Sequence, residues 1–251
     1  MAKIISIHSF RGGTGKSNTT ANIATLLAAE GRRVAVVDAD VQSPGVHVLF
    51  GLDQDTVTHT LNTYLWGKCD AVDAAYDVTA GLGRAVEGRV WLVPASIRPH
   101  DIARIMHDGI DVSLLSEGLR NLVASLALDA LILDTHPGLN EETLLAIALS
   151  HALAIVMRPD HQDYEGTQVT VTVARKLKVP QMVLVVNKTP RRFDFAGVRE
   201  RVERTYDCPV AAVLPHSDEL MELSSGGIFA ARFPSDELTK SYADIAAVLM
   251  A

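Results

Sequence analysis

The sequence predicts an α/β fold in three layers, in which a mostly parallel, twisted sheet carries helices on both faces. Short apolar runs recur along the chain, and stretches with helical spacing of apolar residues separate them. Continuous apolar strands that alternate with helices are typical of parallel sheets covered on both faces. No linker rich in Pro, Gly or Ser interrupts this alternation. We therefore predict one domain over residues 1–251.

The predicted elements follow one another in a regular order. The strand candidates are residues 4–8, 34–38, 90–94, 130–134, 152–157, 182–187 and 210–215. The helix candidates are residues 17–30, 114–128, 141–150, 162–177 and 235–250. The helix over residues 162–177 is predicted despite its β-branched run, which lowers helix propensity. Right-handed crossovers bring the carboxyl ends of all strands to one edge, where ligands of such sheets bind.

Composition excludes several classes of protein. Hydrophobic residues make up 48% of the 251 residues and charged residues 21%, as in soluble globular proteins. The net charge of −7 argues against a uniformly basic nucleic-acid binder. Cys69 and Cys208 form no C-x-x-C pair, so no zinc site or disulfide framework is predicted. No apolar run approaches a membrane span and the N-terminus lacks a signal-peptide layout, so we expect a cytoplasmic protein.

A glycine-rich segment follows the first strand and opens the first helix. The common phosphate-binding pattern is G-x-x-x-x-G-K-[ST], but here Phe10 occupies the position of its first glycine. Glycines admit backbone angles that other residues resist and leave backbone N–H groups open to phosphate oxygens. The candidate nucleotide-binding residues are Arg11, Gly12, Gly13, Thr14, Gly15, Lys16, Ser17 and Asn18.

This segment predicts binding of ATP with Mg²⁺. Lys16 would bridge the β- and γ-phosphates, and Ser17 would give its hydroxyl to the metal. A glycine-rich turn with an incidental lysine is the alternative. The order of strand, glycines, Gly-Lys-Ser and helix favours the phosphate loop.

Three aspartates end apolar strands next to this loop. Asp38 and Asp134 are predicted to serve the metal, because an apolar strand ending in Asp is typical of a Walker-B acid. Asp40 alternates with Asp38 and would orient the attacking water. Each could instead cap a helix or form a turn. His136 is interpreted as a loop histidine near the γ-phosphate or as an exposed residue, rather than as a catalytic base.

These motifs resemble those of the MinD/ParA family of ATPases with a deviant Walker A motif. Besides the phosphate loop, residues 38–44 resemble the family's first switch and residues 134–138 its second. Residues 93–96 with the following Asp101-Ile-Ala resemble a segment of the MinD branch. The resemblance covers essentially the whole chain in order.

The resemblance implies an ATP-dependent sandwich dimer, released when ATP is hydrolysed, that binds an unidentified protein partner or cargo. It also implies that Asn187 contacts adenine and that Pro215 packs nearby. Arg11 stands where the family has its signature lysine, which reaches the partner's phosphates across the dimer. Arginine keeps the charge and adds a planar fork suited to phosphate, so Arg11 is predicted to act in trans as a catalytic residue beside Lys16 and Asp40.

The surface that the protein would bind stays open. The last helix lacks a basic polar face and bulky aromatic residues, so membrane binding by that route is not expected. Non-specific DNA is a candidate because one stretch is basic, although acids interrupt it and local ion pairs would explain it equally. Its cations are Lys188, Arg191, Arg192, Arg199, Arg201 and Arg204.

Three functions compete. The resemblance favours an ATPase of intracellular positioning, slow without a partner, that uses hydrolysis to switch its binding. A metal-centre accessory or electron-transfer ATPase, like the nitrogenase iron protein group, is the first alternative, but the two cysteines do not follow either switch. A small-molecule kinase or ligase is the second, and no acceptor pocket is evident. The sequence does not identify the cargo.

Overall fold

The computed structural model describes residues 2–251, apart from the side chain of Gln54. The strands are β1 (Lys3–His8), β2 (Arg33–Ala39), β3 (Tyr76–Asp77), β4 (Arg89–Val93), β5 (Ala130–Thr135), β6 (Ala152–Met157), β7 (Gln181–Thr189) and β8 (Val210–Pro215). They form one sheet in the order β3-β4-β2-β5-β1-β6-β7-β8. Every pair is parallel except β3–β4. The predicted α/β class with a mostly parallel sheet is confirmed.

Helices connect these strands. They are α1 (Lys16–Ala29), α2 (Val46–Leu49), α3 (Leu61–Leu65), α4 (Pro99–Asp108), α5 (Val112–Ser125), α6 (Glu141–Leu149), α7 (His161–Lys176), α8 (Phe195–Tyr206), α9 (Asp218–Leu223), α10 (Phe229–Arg232) and α11 (Glu237–Met250). Two single 3₁₀ turns lie at Gln54–Thr56 and Thr79–Leu82. Within the described residues, no helix is long and apolar enough to cross a bilayer.

The alternation of strand side chains produces the three layers. In β2, Val34 and Val36 pack into the cluster that contains residues of α1 and α11. Ala35 and Val37 point to the opposite face, where they join residues of α5. Successive side chains of a strand point to opposite faces, so a strand that is apolar throughout needs helices on both sides.

Two of the predicted helices, α7 and α11, differ in how their sequences favour a helix. The β-branched run lies in α7, and the hydroxyls of Thr170 and Thr172 donate to the carbonyls of Gly166 and Gln168, one turn earlier. Tertiary packing of this helix outweighs its modest propensity. The last helix, α11, buries an apolar face in the core cluster that it shares with α1. This face consists of Leu238, Tyr242, Ile245, Ala246 and Leu249.

Strand register decides which side chains meet at the carboxyl edge of the sheet. β2 pairs with β5 so that Asp38 lies opposite Asp134 and Ala39 opposite Thr135. β1 lies on the other side of β5 and delivers the glycine-rich loop to the same edge. The loop and the strand-end acids therefore converge, as parallel topology requires.

Candidate nucleotide-binding site

The glycine-rich loop has a conformation that depends on two of its glycines. Gly13 has φ 75° and Gly15 has φ 99°, which lie in a backbone region that residues with a Cβ rarely adopt. A Cβ at Gly15 would also lie 2.5 Å from Nδ2 of Asn187, which is inside van der Waals contact. The loop therefore needs glycine at position 15 for conformation and for space.

The first turn of α1 presents free backbone donors. Gly15 is the N-cap of α1, and no side chain caps this end of the helix. Uncapped N–H groups and the helix dipole together attract anions. Within the described chain, the buried hydroxyl of Thr14 also lacks a hydrogen-bond partner. A buried hydroxyl without a partner is uncommon, and a phosphate oxygen beside the loop would supply one.

The end of β7 braces the loop from behind. The Asn187 amide donates from Nδ2 to the carbonyl of Thr14 at 2.8 Å. At a bulge, where Lys188 has φ 55°, the Lys188 side chain turns to the loop and Nζ donates to the carbonyl of Gly13 at 2.8 Å. Sequence reasoning missed both contacts, because they join segments more than 170 residues apart.

Pro215 lies beside this brace. It ends β8 and pairs in register with Thr189 of β7. The two residues assigned to the adenine end by resemblance are thus on neighbouring strand ends. A cleft lined by Lys188, Pro190, Arg191, Arg192, His216 and Asp218 opens next to them.

Lys16 lies between the loop and the acids. It is only 8% exposed, and burial lowers the pKa of its ammonium, while the charges of Asp134 and Asp40 oppose that shift. Burying a cation costs free energy unless acids or ligands compensate it. The structure brings Lys16 together with two of the predicted acids.

Asp38 and Asp134 form a buried pair of carboxyl groups. Burial, and next the charges of Asp134 and Asp40, raise the pKa of Asp38 well above its usual range. Burial also raises the pKa of Asp134 to about 6, although the hydroxyls of Ser17 and Thr20 and the charge of Lys16 counteract it. Thr20 donates to Oδ1 of Asp134 at 3.1 Å.

This donor set fits a magnesium ion. Mg²⁺ takes oxygen ligands and is usually held by one or two carboxylates together with substrate phosphates. Burial and neighbouring acids raise the pKa of both carboxyls, and a divalent cation would relieve this cost by favouring their ionised forms. Ser17, Asp38 and Asp134 are the residues that could hold it directly or through water.

Asp40 lies at the rim of the same edge. Its Oδ1 accepts from the backbone N–H of Ser43 at 2.9 Å and lies 2.7 Å from Nδ1 of His136. The backbone N–H of Asp40 donates to Oδ1 of Asp38 at 3.3 Å. The two strand-end segments are therefore joined by side-chain contacts as well as by strand pairing.

Arg11 contacts its own chain in this structure. Its guanidinium donates to Oε1 of Gln162 and lies 3.7 Å from Asp163, both in the first turn of α7. Asp163 is already bound by the guanidinium of Arg158. Phe10 packs against Gly166 of the same helix, where a Cβ would overlap its ring. Arg11 and Phe10 thus attach the glycine-rich loop to α7.

Two cations of the predicted basic stretch are occupied by contacts within the chain. Lys188 donates to the glycine-rich loop, and Arg199 donates to the carbonyl of Val210 and lies near Glu203. The exposed cations that remain are Arg191, Arg192, Arg201 and Arg204.

Cys69 is half-buried and Cys208 is buried, and both are free thiols. Residues 2–251 hold no group of three or more His, Cys, Asp or Glu that could bind a metal ion.

These features define a P-loop nucleotide-binding protein. The model of the CobQ/CobB/MinD/ParA nucleotide-binding domain matches residues 5–228, so the chain belongs to this family. An uncharacterized ATP-binding protein of Methanocaldococcus jannaschii is 28% identical over 251 residues, which cover 100% of this chain and 88% of that relative.

Solved structures share the fold. The cell division ATPase MinD of Pyrococcus furiosus matches with a TM-score of 0.82 and 24% identity, over 99% of this chain and 98% of that one. The septum site-determining protein MinD of Pyrococcus horikoshii, solved with Mg-ADP, matches with a TM-score of 0.79 and 24% identity, over 100% and 99%.

Replacement of Asp134 by Asn is expected to stabilise the nucleotide-free protein at pH 8. A carboxyl whose pKa is raised by folding favours the folded state only while it is protonated, so its contribution falls as pH rises from the unfolded pKa of about 3.9 towards 6. The gain in the free energy of unfolding at pH 8 is about 2–3 kcal/mol. Urea unfolding at pH 8 and pH 4.5 measures it.

The gain should shrink by more than half at pH 4.5. Glu222→Gln, which changes an exposed acid of α9, is the control and should change stability little at either pH. A destabilised Asp134→Asn protein at pH 8 would contradict the account of the buried pair.

Proposed function

We propose that this protein is an ATPase that binds ATP with Mg²⁺, dimerises in the ATP state, and hydrolyses ATP to switch its binding to a partner, cargo or surface. One observation carries the proposal: β2 and β5 bring Asp38, Asp40 and Asp134 to the edge where the glycine-rich loop supplies Lys16. The candidate cation for the phosphates, the candidate acids for the metal and the candidate acid for water thus lie at one edge of the sheet.

The loop would bind the triphosphate. Backbone N–H groups of residues 12–17 would surround it, and Lys16 would bridge the β- and γ-phosphates. Asn187 and Pro215 would meet the base from the ends of β7 and β8. Ser17, Asp38 and Asp134 would hold Mg²⁺, which would supply positive charge next to the phosphates.

Hydrolysis would depend on the orientation of water. Asp40 is less buried than Asp38 and Asp134, so its carboxylate can contact a water at the γ-phosphate. Phosphoryl transfer requires mostly positioning and charge stabilisation rather than covalent chemistry by the protein. Lys16 would stabilise charge, and Asp40 would hold the water in line.

In the dimer, Arg11 would leave its present contacts with α7. Arg11 is bound to Gln162 at an exposed site, and the buried Asp163 would keep the guanidinium of Arg158 as its partner, so exchange to a partner's phosphate leaves no acid unpaired. A guanidinium near a γ-phosphate stabilises the charge that develops there. We propose that Arg11 serves the other subunit's nucleotide in trans.

The output of the switch would be intracellular positioning. Support comes from family membership and from the fold shared with a septum site-determining protein. A protein partner or cargo is the proposed target, in the cytoplasm. Membrane binding through α11 is not proposed, because its apolar face is packed in the core. Non-specific DNA remains a candidate through the four exposed arginines.

The proposal predicts that dimer formation follows the nucleotide state. Size exclusion with light scattering should give a dimer with ATP·Mg²⁺ and a monomer with ADP·Mg²⁺. Arg11→Ala should weaken the dimer or slow hydrolysis by about 10-fold or more, with ATP affinity unchanged within about 3-fold. Arg120→Ala, an exposed arginine of α5, is the control and should behave as wild type.

Two results would contradict parts of this account. A monomer in every nucleotide state would remove the dimer from the mechanism. Normal ATP-dependent dimers and a normal rate in Arg11→Ala would show that Arg11 does not act in trans.

A further inference from the structure

The proposed chemistry gives no role to His136, which follows the last residue of β5. Its side chain is 21% exposed and that of Asp40 is 14% exposed, so the pair is largely shielded from water. Nδ1 of His136 lies 2.7 Å from Oδ1 of Asp40, although the residues are 96 positions apart in sequence. A contact this short between a ring nitrogen and a carboxylate is a charge-assisted hydrogen bond.

Strand register explains why these two residues meet. β2 and β5 end with Asp38 opposite Asp134 and Ala39 opposite Thr135. The residue after β2 is Asp40, and the residue after β5 is His136. The meeting is therefore a consequence of the sheet and does not depend on a flexible loop.

The contact fixes the orientation of the Asp40 carboxylate. Two donors converge on Oδ1: the ring of His136 and the backbone N–H of Ser43. Their convergence leaves the lone pairs of Oδ2 for another donor. A water that attacks the γ-phosphate is such a donor.

His136 is itself anchored on its own loop. Its carbonyl accepts from the hydroxyl of Thr143 at 3.3 Å, and the N–H of Thr143 is held by the side chain of Asn140, the N-cap of α6. Because an ionised carboxylate only accepts, the hydrogen of the bond to Asp40 resides on Nδ1 of His136. The backbone of His136 is thus held from α6 while its ring donates to Asp40.

We propose that His136 is a positioning residue for ATP hydrolysis, which orients the water-directing carboxylate of Asp40 and links the two switch segments. This inference rests on the proposed function. His136 contacts neither ATP nor the reacting water in this role. Its effect is to hold Asp40 in the geometry that turnover needs, where small misplacements are costly.

Three variants of His136 test the hydrogen bond by position. An Asn side chain can place an N–H donor near the position of Nδ1, a Gln side chain places it further out, and Ala has none. His136→Ala and His136→Gln should lower kcat by about 10-fold or more, with KM within about 3-fold, and His136→Asn should retain kcat within about 3-fold. Single-turnover hydrolysis at high protein concentration measures the rate of each variant even where turnover is slow.

His107→Ala is the matched control. His107 also makes a hydrogen bond to an aspartate, with Nδ1 2.9 Å from Oδ1 of Asp108, but the pair is exposed at the end of α4. This variant should turn over as wild type. His136→Ala in an Asp40→Ala background should slow turnover no further, because residues that act through one another are not additive.

A second measurement does not depend on activity. Nuclear magnetic resonance of nucleotide-free protein with ¹⁵N-labelled histidine should show a proton on Nδ1 of His136, and its signal should shift or vanish in Asp40→Ala and persist in His107→Ala. An unshifted signal would overturn the inference. A normal kcat in His136→Ala, together with stalled turnover in Asp40→Ala, would overturn this inference and leave the proposed function standing. A wild type that binds ATP without hydrolysing it would overturn this inference and the proposed function together.

Discussion

Replacement of Lys16 by alanine is expected to weaken binding of ATP·Mg²⁺ by more than about 100-fold, because a buried cation that faces the phosphates would be lost. Lys16 is 8% exposed, so water does not screen its charge well. Asp134 and Asp40 lie close enough to influence its pKa. Without Lys16, the charges of these acids would repel the triphosphate. This repulsion would add to the loss of attraction.

Calorimetric titration with ATP·Mg²⁺ measures the change in affinity. Lys16→Met keeps the apolar stem of the side chain and separates the loss of charge from the loss of packing. Lys68→Ala removes an exposed lysine that lies over Trp66 and is the control, with affinity as in wild type. Unchanged affinity in Lys16→Ala would remove the glycine-rich loop from nucleotide binding.

Much of the fold follows from the sequence because burial leaves a strong pattern. Strands covered on both faces are apolar throughout, and the seven predicted strands all occur in the sheet. The pattern fails where elements are short or polar. β3 is only two residues long, and α8 is a charged helix with only Val198, Val202 and Tyr206 buried.

The location of the site is predictable, but its internal contacts are not. Parallel topology places the glycine-rich loop and the strand-end acids at one edge whatever their side chains do. The contacts of Arg11 with Gln162 and of Lys188 with Gly13 join segments about 150 or more residues apart. The only local signal for the second is that Lys188 directly follows Asn187. Such contacts depend on register and on loop conformation, which a single sequence does not specify.

Two residues at the end of β7 have contacts that the sequence does not predict. Lys188 belongs to the basic stretch that makes DNA a candidate, but its ammonium is held by the loop carbonyl of Gly13. The family resemblance assigns Asn187 to adenine, and the structure adds a second task, since its amide holds the carbonyl of Thr14. The end of β7 thus supports the phosphate loop before any nucleotide binds.

Replacement of Asp40 by alanine is expected to slow ATP turnover by about 100-fold or more, with ATP affinity retained within about 3-fold. In the proposed mechanism the carboxylate acts on water, because it lies at the more exposed rim of the acid group. Loss of its charge would also relieve Asp38, whose pKa Asp40 helps to raise. The variant also loses the contacts of Asp40 with Ser43 and His136 and its charge near Lys16, so urea unfolding is measured alongside to show that slow turnover is not due to unfolding.

Single-turnover hydrolysis and light scattering together test this variant. If hydrolysis releases the dimer, Asp40→Ala with ATP·Mg²⁺ should accumulate as a dimer that outlasts the wild-type one. Asp40→Asn keeps the acceptor for Ser43 and His136 but loses the charge, so it should stall in the same way. Asp73→Ala changes an exposed acid and should turn over normally. Normal turnover in Asp40→Ala would remove Asp40 from catalysis, whereas stalled turnover without a trapped dimer would separate hydrolysis from the switch.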